Sequence, residues 1–224
     1  NMIAILQSYS SMLLGALGKT LLLTLLSLLF AMIIGMIFAL MNVGRNRVLN
    51  CIGTIYVDAV RGVPLIVLAY FIYFGVPYCL NNMMGFNFTL TALQAGTVCL
   101  ALNCGAYMAE IIRAGILSVD SGQMEAARSL GLPYSRAMIR VVLPQAIRTM
   151  IPSIINQFII TLKDTSILSV IGFPELVNTA KNVVANSFMS FQTWGIVAVM
   201  YLIVITILSK VAKIVERRLN RGRK

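Results

Sequence analysis

The sequence predicts an all-α membrane protein. Five transmembrane helices form one domain over residues 1–224, with a short helical segment outside the lipid between the third and fourth. Three observations predict it. Hydrophobic residues make up 59% of the chain and mean hydropathy is +0.89. Charged residues reach only 11%, against about 25% in soluble domains. The apolar residues also fall into runs of roughly 20, the length that crosses about 30 Å of hydrocarbon.

Residues 2–17 are mildly amphipathic and are expected along the outer interface, ahead of a first span over 19–41. No basic n-region or A-x-A site marks a removable signal peptide there. Gly35, with serines and threonines on the same span, permits close helix contacts. A second span is expected over 51–76, ended by Pro77. Asp58 and Arg61 stand at i, i+3 near its inner end, the spacing of an intrahelical ion pair. Arg61-Gly62-Val63-Pro64 should loosen this helix, because Pro64 has no backbone donor. Residues 77–87 read as an outer loop rich in Asn and Gly.

The third span, 88–116, places Asn103, Tyr107 and Glu110 on one face. The fourth, 145–170, is the least apolar and repeats that spacing with Gln157, Thr161 and Asp164, Asn156 lying beside them. Ile171 to Glu175 ends it, a short outer segment runs to Ser190, and a fifth span covers 191–212.

The segment 120–144 is the long polar interruption of the chain. Asp120 or Ser121 suits an N-cap, Gln123 falls near the third helical position, and Glu125 falls in the first turns, where the helix dipole favours an anion. Gly131 stands where a left-handed residue would end the helix. Pro133 suits the first turn of a second short helix, which Pro144 marks off from the next span. Such an element is too short and too charged to cross lipid, so it protrudes into water.

Charge gives the orientation. A net charge of +11 could suit nucleic acid, but its placement points elsewhere. With the N-terminus outside, Arg45, Arg47, Arg61, Arg113, Arg128, Arg136, Arg140 and Arg148 fall inside. Lys210, Lys213, Arg217, Arg218, Arg221, Arg223 and Lys224 join them, making 15 of 18 basic residues and leaving Lys19, Lys163 and Lys181 elsewhere. That is the positive-inside bias of a membrane protein with its C-terminus in the cytoplasm.

Two polar stripes within lipid require an explanation, since an ionised residue there costs on the order of 2.5–3.5 kcal/mol. Glu110 lies near the inner surface and weighs less. Asp164 is deeper, and Asn103 can face it across the bundle. The functional reading is a polar cavity for a zwitterionic solute, with Asn103, Tyr107, Gln157, Asp164 and Arg61 as candidate contacts. The competing reading makes Lys163 and Asp164 interhelical bridges that fix packing. Cys51, Cys79, Cys99 and Cys104 form no C-x-x-C pair and the chain has no histidine, so a metal, haem or iron–sulfur site is not expected and the cysteines read as small packing residues. No G-x-x-x-x-G-K-[ST] stretch exists to cradle a nucleotide, and a histidine-based triad is impossible.

Glu125-Ala126-Ala127, three residues, Gly131, nine residues, then Val141-x-Leu143-Pro144 resembles the E-A-A loop of permease subunits of bacterial ABC importers; Val141 stands where that loop often has Ile. Arg61-Gly62-Val63-Pro64, Ala106-Tyr107-Met108-Ala109-Glu110-Ile111, Leu143-Pro144-Gln145-Ala146, Leu162-Lys163-Asp164-Thr165-Ser166 and Glu216-Arg217-Arg218-Leu219 look like the polar amino acid branch of that family. The resemblance implies the type I importer permease fold and a bacterial cell (inner) membrane location. It implies a second permease subunit, identical or closely related, two cytoplasmic ATP-binding subunits beneath, and an external solute-binding protein above. ATP and Mg would sit on the ATPase, with no cofactor and no nucleic acid on this chain. Glu125, Ala126, Ala127 and Gly131 would form the coupling helix, and an amino acid pocket would lie near Asn103 and Asp164. Two other classes stay open: a stand-alone, ion-driven transporter using Lys163 and Asp164, and a membrane scaffold with no transport path.

Overall fold

The structure, a computed structural model, describes residues 2–44 and 46–220. Arg45, Arg221, Arg223 and Lys224, counted above on the inner side, lie outside the described residues. The described residues form α-helices α1 (Met2–Val43), α2 (Arg47–Gly62), α3 (Leu65–Tyr70), α4 (Val76–Met84), α5 (Ala92–Leu117), α6 (Ser121–Ser129), α7 (Tyr134–Ala137), α8 (Leu143–Asp164), α9 (Leu176–Ser187) and α10 (Ser190–Asn220). Five stretches are long and apolar enough to span a membrane: Ile5–Val43, Leu65–Met84, Ala92–Leu117, Tyr134–Ile171 and Ser190–Arg218.

The first departs from expectation. Residues 2–17 do not form a separate interfacial helix; α1 is continuous over 42 residues, about 63 Å at 1.5 Å per residue. One face of its N-terminal part is buried against other helices, while Ile3, Leu6, Met12 and Leu14 stay exposed on the other. Ile5, Leu13 and Ala16 pack with Leu176, Ala180 and Val183 of α9 and with Ile196 and Val197 of α10. The Leu176 amide donates to the Thr20 hydroxyl at 3.1 Å, which fastens α9 to α1.

The second predicted span is also redrawn. The break at Arg61-Gly62-Val63-Pro64 is complete: Val63 (φ −102°, ψ 131°) and Pro64 (φ −57°, ψ 138°) are extended, as the residue before a proline prefers. The spanning stretch therefore begins at Leu65. It continues through a π turn at Phe71–Gly75 and past Pro77, which occupies the first turn of α4, where a missing donor does no harm. Residues 47–62 are a separate helix. The Asn46 side chain caps it by accepting from the Val48 and Leu49 amides, and the Tyr56 hydroxyl donates to the Leu102 carbonyl of α5 at 2.7 Å. Asp58 and Arg61 do not pair; the ion pair among the described residues joins Arg113 to Glu110.

At the centre stands α5, begun by a capping box between Thr91 and Gln94. Its Ala95, Cys99 and Leu100 pack with Leu23, Ile72 and Leu168, and its Ala109, Ile112 and Ile116 pack with Ala39, Ala146 and Met150. Cys99 and Cys104 are buried packing residues as expected, whereas Cys51 and Cys79 are exposed. The fourth span is longer than expected: Tyr134 to Ile171 is one helical stretch through a π turn at Met138–Val142 and a 3₁₀ segment at Thr165–Ile171. Pro144 lies in the first turn of α8 and separates nothing. The segment before Ser190, expected only as a short outer connection, contains the twelve-residue helix α9.

Candidate functional site

Three elements converge on a cavity of about 520 Å³: the central part of α5, the C-terminal half of α8, and the broken joint between α2 and α3. All five predicted solute contacts line it: Arg61, Asn103, Tyr107, Gln157 and Asp164, with Ile160 and the Val63–Pro64 joint completing the wall. The helical spacing of the two stripes points them at one another, and the extended joint leaves room between them. Asn103 and Gln157 are 7% and 5% exposed, so both amides are buried in the wall of the cavity. The side chains of Asn103 and Asp164 hydrogen-bond no protein group among the described residues, which leaves them free to bind a solute. Arg61 lies over the Tyr107 ring, its Cζ 5.1 Å from the centroid, a cation–π contact. The arrangement offers an anion, a cation, two amides and an aromatic face, complementary to a zwitterion bearing a polar side chain.

Other predicted residues lie elsewhere. Lys163 is exposed, and neither it nor Asp164 makes a salt bridge among the described residues, so the interhelical bridges of the packing reading are not formed. Glu110 is held by Arg113, its two oxygens accepting from Nε at 3.0 Å and Nη2 at 2.6 Å. Asn156 lines a different groove with Lys213 and Glu216. Ile160, an apolar residue on a mostly apolar helix, joins the wall with no signal in the sequence to single it out.

The polar segment forms as drawn up to Gly131. Asp120 caps α6 by accepting from the Gly122 amide at 2.7 Å. Gly131 has φ +87°, and the Leu132 and Gly131 amides donate to the Ala127 and Arg128 carbonyls, a Schellman ending. Glu125 is the fifth residue of α6, which begins at Ser121, and so falls within its first turns. The Gln123 side chain accepts from Gln145 instead of completing a capping box. Ala127 is buried, while Glu125 and Ala126 face outward.

This geometry has close counterparts. The chain is 37% identical over 220 residues to the probable glutamine ABC transporter permease protein GlnM of Bacillus subtilis (strain 168), covering 98% of this chain and 99% of that one. It is 39% identical over 216 residues to the L-cystine transport system permease protein TcyB of the same organism, covering 96% and 89%. To the glutamine transport system permease protein GlnP of Escherichia coli (strain K12) it is 35% identical over 201 residues, 90% of each chain. Among solved structures, an amino acid ABC transporter crystallised with histidines superposes with a TM-score of 0.88 at 36% identity, covering 97% and 98%. The inward-facing MetNI methionine ABC transporter shares the fold, with a TM-score of 0.76 at 20% identity, covering 94% and 97%. The fold is that of type I ABC importer membrane subunits. Residues 31–222 match the model of a family described as the binding-protein-dependent transport system inner membrane component, and to that family the chain belongs.

Proposed function

We propose that this chain is the membrane-spanning subunit of an ATP-driven importer of polar or basic amino acids. The observation that carries the reading is the single cavity collecting Arg61, Asn103, Tyr107, Gln157 and Asp164. Asp164 meets the ammonium or a basic side chain of the solute, and Asn103 and Gln157 hydrogen-bond its polar atoms. Family membership, and relatives named for glutamine and cystine transport, support the same solute class.

The permease itself is not catalytic. Two cytoplasmic ATP-binding subunits carry ATP and Mg, and each grips an α6 through the exposed face around Glu125 and Ala126. A second, identical permease subunit completes the path, and an external binding protein delivers the solute. The N-terminus lies outside and the C-terminus in the cytoplasm of a bacterium, as the basic residues indicate. Nucleotide-driven closure of the ATPases moves the paired α6 helices, and the bundles turn as rigid bodies between outward-open and inward-open states. Reconstitution with the ATPase and binding protein into liposomes tests this: amino acid uptake should require ATP. Uptake by this chain alone, driven by an ion gradient, would overturn it.

A further inference from the structure

A second polar cavity, about 350 Å³, adjoins the first. Asn42, Asn50, Asp58, Glu110 and Arg113 line it, and Arg61 lines both cavities. Position along α5 orders them. Glu110 follows Asn103 by seven residues, about 10 Å of helix rise, and the chain continues past Arg113 to Asp120 and α6. The second cavity therefore lies between the first and the end of the bundle that carries α6.

The charges in the second cavity are unevenly matched. Glu110 is taken up by Arg113 in a bidentate pair. Asp58 has no ion-pair partner among the described residues, although Arg61 stands three residues away on α2 and lines the same cavity. Arg61 is turned onto the Tyr107 ring instead, 5.1 Å from its centroid. The helix stops at Gly62, one residue past Arg61, and the extended Val63 and Pro64 leave α2 joined to α3 without a shared hydrogen-bond ladder. A cation that lines both cavities thus stands beside an extended break between two helices, on the boundary between two polar chambers.

We propose that Arg61 is the gate between two successive chambers of one solute path. Seated on Tyr107, it separates the Asn103–Asp164 chamber from the one at Asp58 and Glu110. Seated on Asp58, it lets the amino acid pass toward the α6 end. The proposal rests on the solute-path reading given above, and adds to it a residue that times the passage and a second chamber through which the solute moves. The polar lining of that chamber suits a hydrated zwitterion.

The test uses the reconstituted assembly with its ATPase, in liposomes loaded with labelled glutamine or labelled arginine, and measures exchange without ATP. Arg61→Ala and Tyr107→Leu should each leak roughly tenfold faster than wild type, the scale on which losing a cation–π contact shifts an equilibrium. Tyr107→Phe keeps the ring and should stay tight. Asp58→Asn should lower the maximal rate of ATP-driven uptake while leaving KM unchanged. Should Arg61→Ala fail to assemble, the Leu and Phe variants at position 107 carry the test by themselves. Leucine and alanine variants as tight as wild type, or a phenylalanine variant as leaky as the leucine one, would overturn the gate. In those cases the wild type still imports with ATP; a wild type that does not would instead sink the transport path.

Discussion

Gly35 on α1 lies so close to Met108 on α5 that a Cβ at residue 35 would stand 2.5 Å from the Met108 Cβ, with the Ala109 nitrogen and Gly105 carbonyl oxygen each at 3.2 Å. The approach is mutual, since a Cβ at Gly105 would meet Ile34 Cγ2 at 2.8 Å. Small residues let helix backbones meet where lipid supplies no hydrophobic drive. The contact sets the seat of α5 and hence of Asn103. Gly35→Ala should cost about 1–3 kcal/mol through overpacking, a fall of several degrees in the melting temperature of the purified subunit. Gly15→Ala, where nothing lies within 4 Å, should melt like wild type. Equal melting of the two variants would mean that α1 and α5 can part without penalty.

How much of this was legible beforehand follows from what each signal encodes. The stripes Asn103–Tyr107 and Gln157–Asp164 were readable because helical spacing fixes a face, and polar residues on that face are costly unless they line something. The α6 ending was readable because Gly131 needs a left-handed conformation, found at φ +87°. Helix lengths were less legible. Composition cannot distinguish an interfacial N-terminal helix from a buried one, and it was Leu176, Ala180 and Val183 that buried Ile5, Leu13 and Ala16. Pro77 and Pro144 looked like stops but fall in first turns, where proline is tolerated. The pairing of Glu110 with Arg113 rather than Asp58 with Arg61 was undetermined by spacing, since both pairs stand at i, i+3.

The exposed Glu125 side chain forms no hydrogen bond among the described residues, while the Ser129 hydroxyl donates to its backbone carbonyl at 2.9 Å. The helix therefore does not depend on the carboxylate. Glu125→Lys should leave α6 folded yet weaken recovery of the ATPase subunit on co-purification. Loss of one charged contact of about 1.5–3 kcal/mol corresponds to roughly a tenfold or greater drop in affinity. ATP-driven uptake at the wild-type rate would remove Glu125 from the docking surface.

Asp164 is the anion of the first cavity and has no ion-pair partner among the described residues. Asp164→Asn keeps the shape and removes the charge. The KM for a cationic amino acid should rise about tenfold or more, because a buried polar group selects strongly against a mismatched partner. The KM for an amide side chain should change less. If subunit yield falls while both KM values stay put, the carboxylate serves packing rather than solute.

Glu175 is fully buried between the fourth and fifth spans, and its carboxylate caps α9 by accepting from the Val177 amide at 2.7 Å and the Asn178 amide at 2.6 Å. Burial pushes its pKa above the usual carboxylate range; the two amides pull it back, but less strongly. An acid with a raised pKa in the fold binds its proton more tightly there than in the unfolded chain. Its contribution to stability is therefore complete below the ordinary carboxylate pKa and is lost as pH rises through the raised value. The docking of α9 against α1 should accordingly weaken as pH rises through that raised value. Glu175→Gln keeps an oxygen acceptor for the cap and has no proton to lose, so its melting temperature should vary less with pH than that of wild type. Glu175→Ala loses the cap itself and should be less stable by about 0.5–2 kcal/mol at every pH. Melting curves of the three proteins at several pH values separate the two effects. A glutamine variant retaining the full wild-type slope would assign the pH dependence to another group, since it keeps one of the two capping acceptors and has lost the titrating proton.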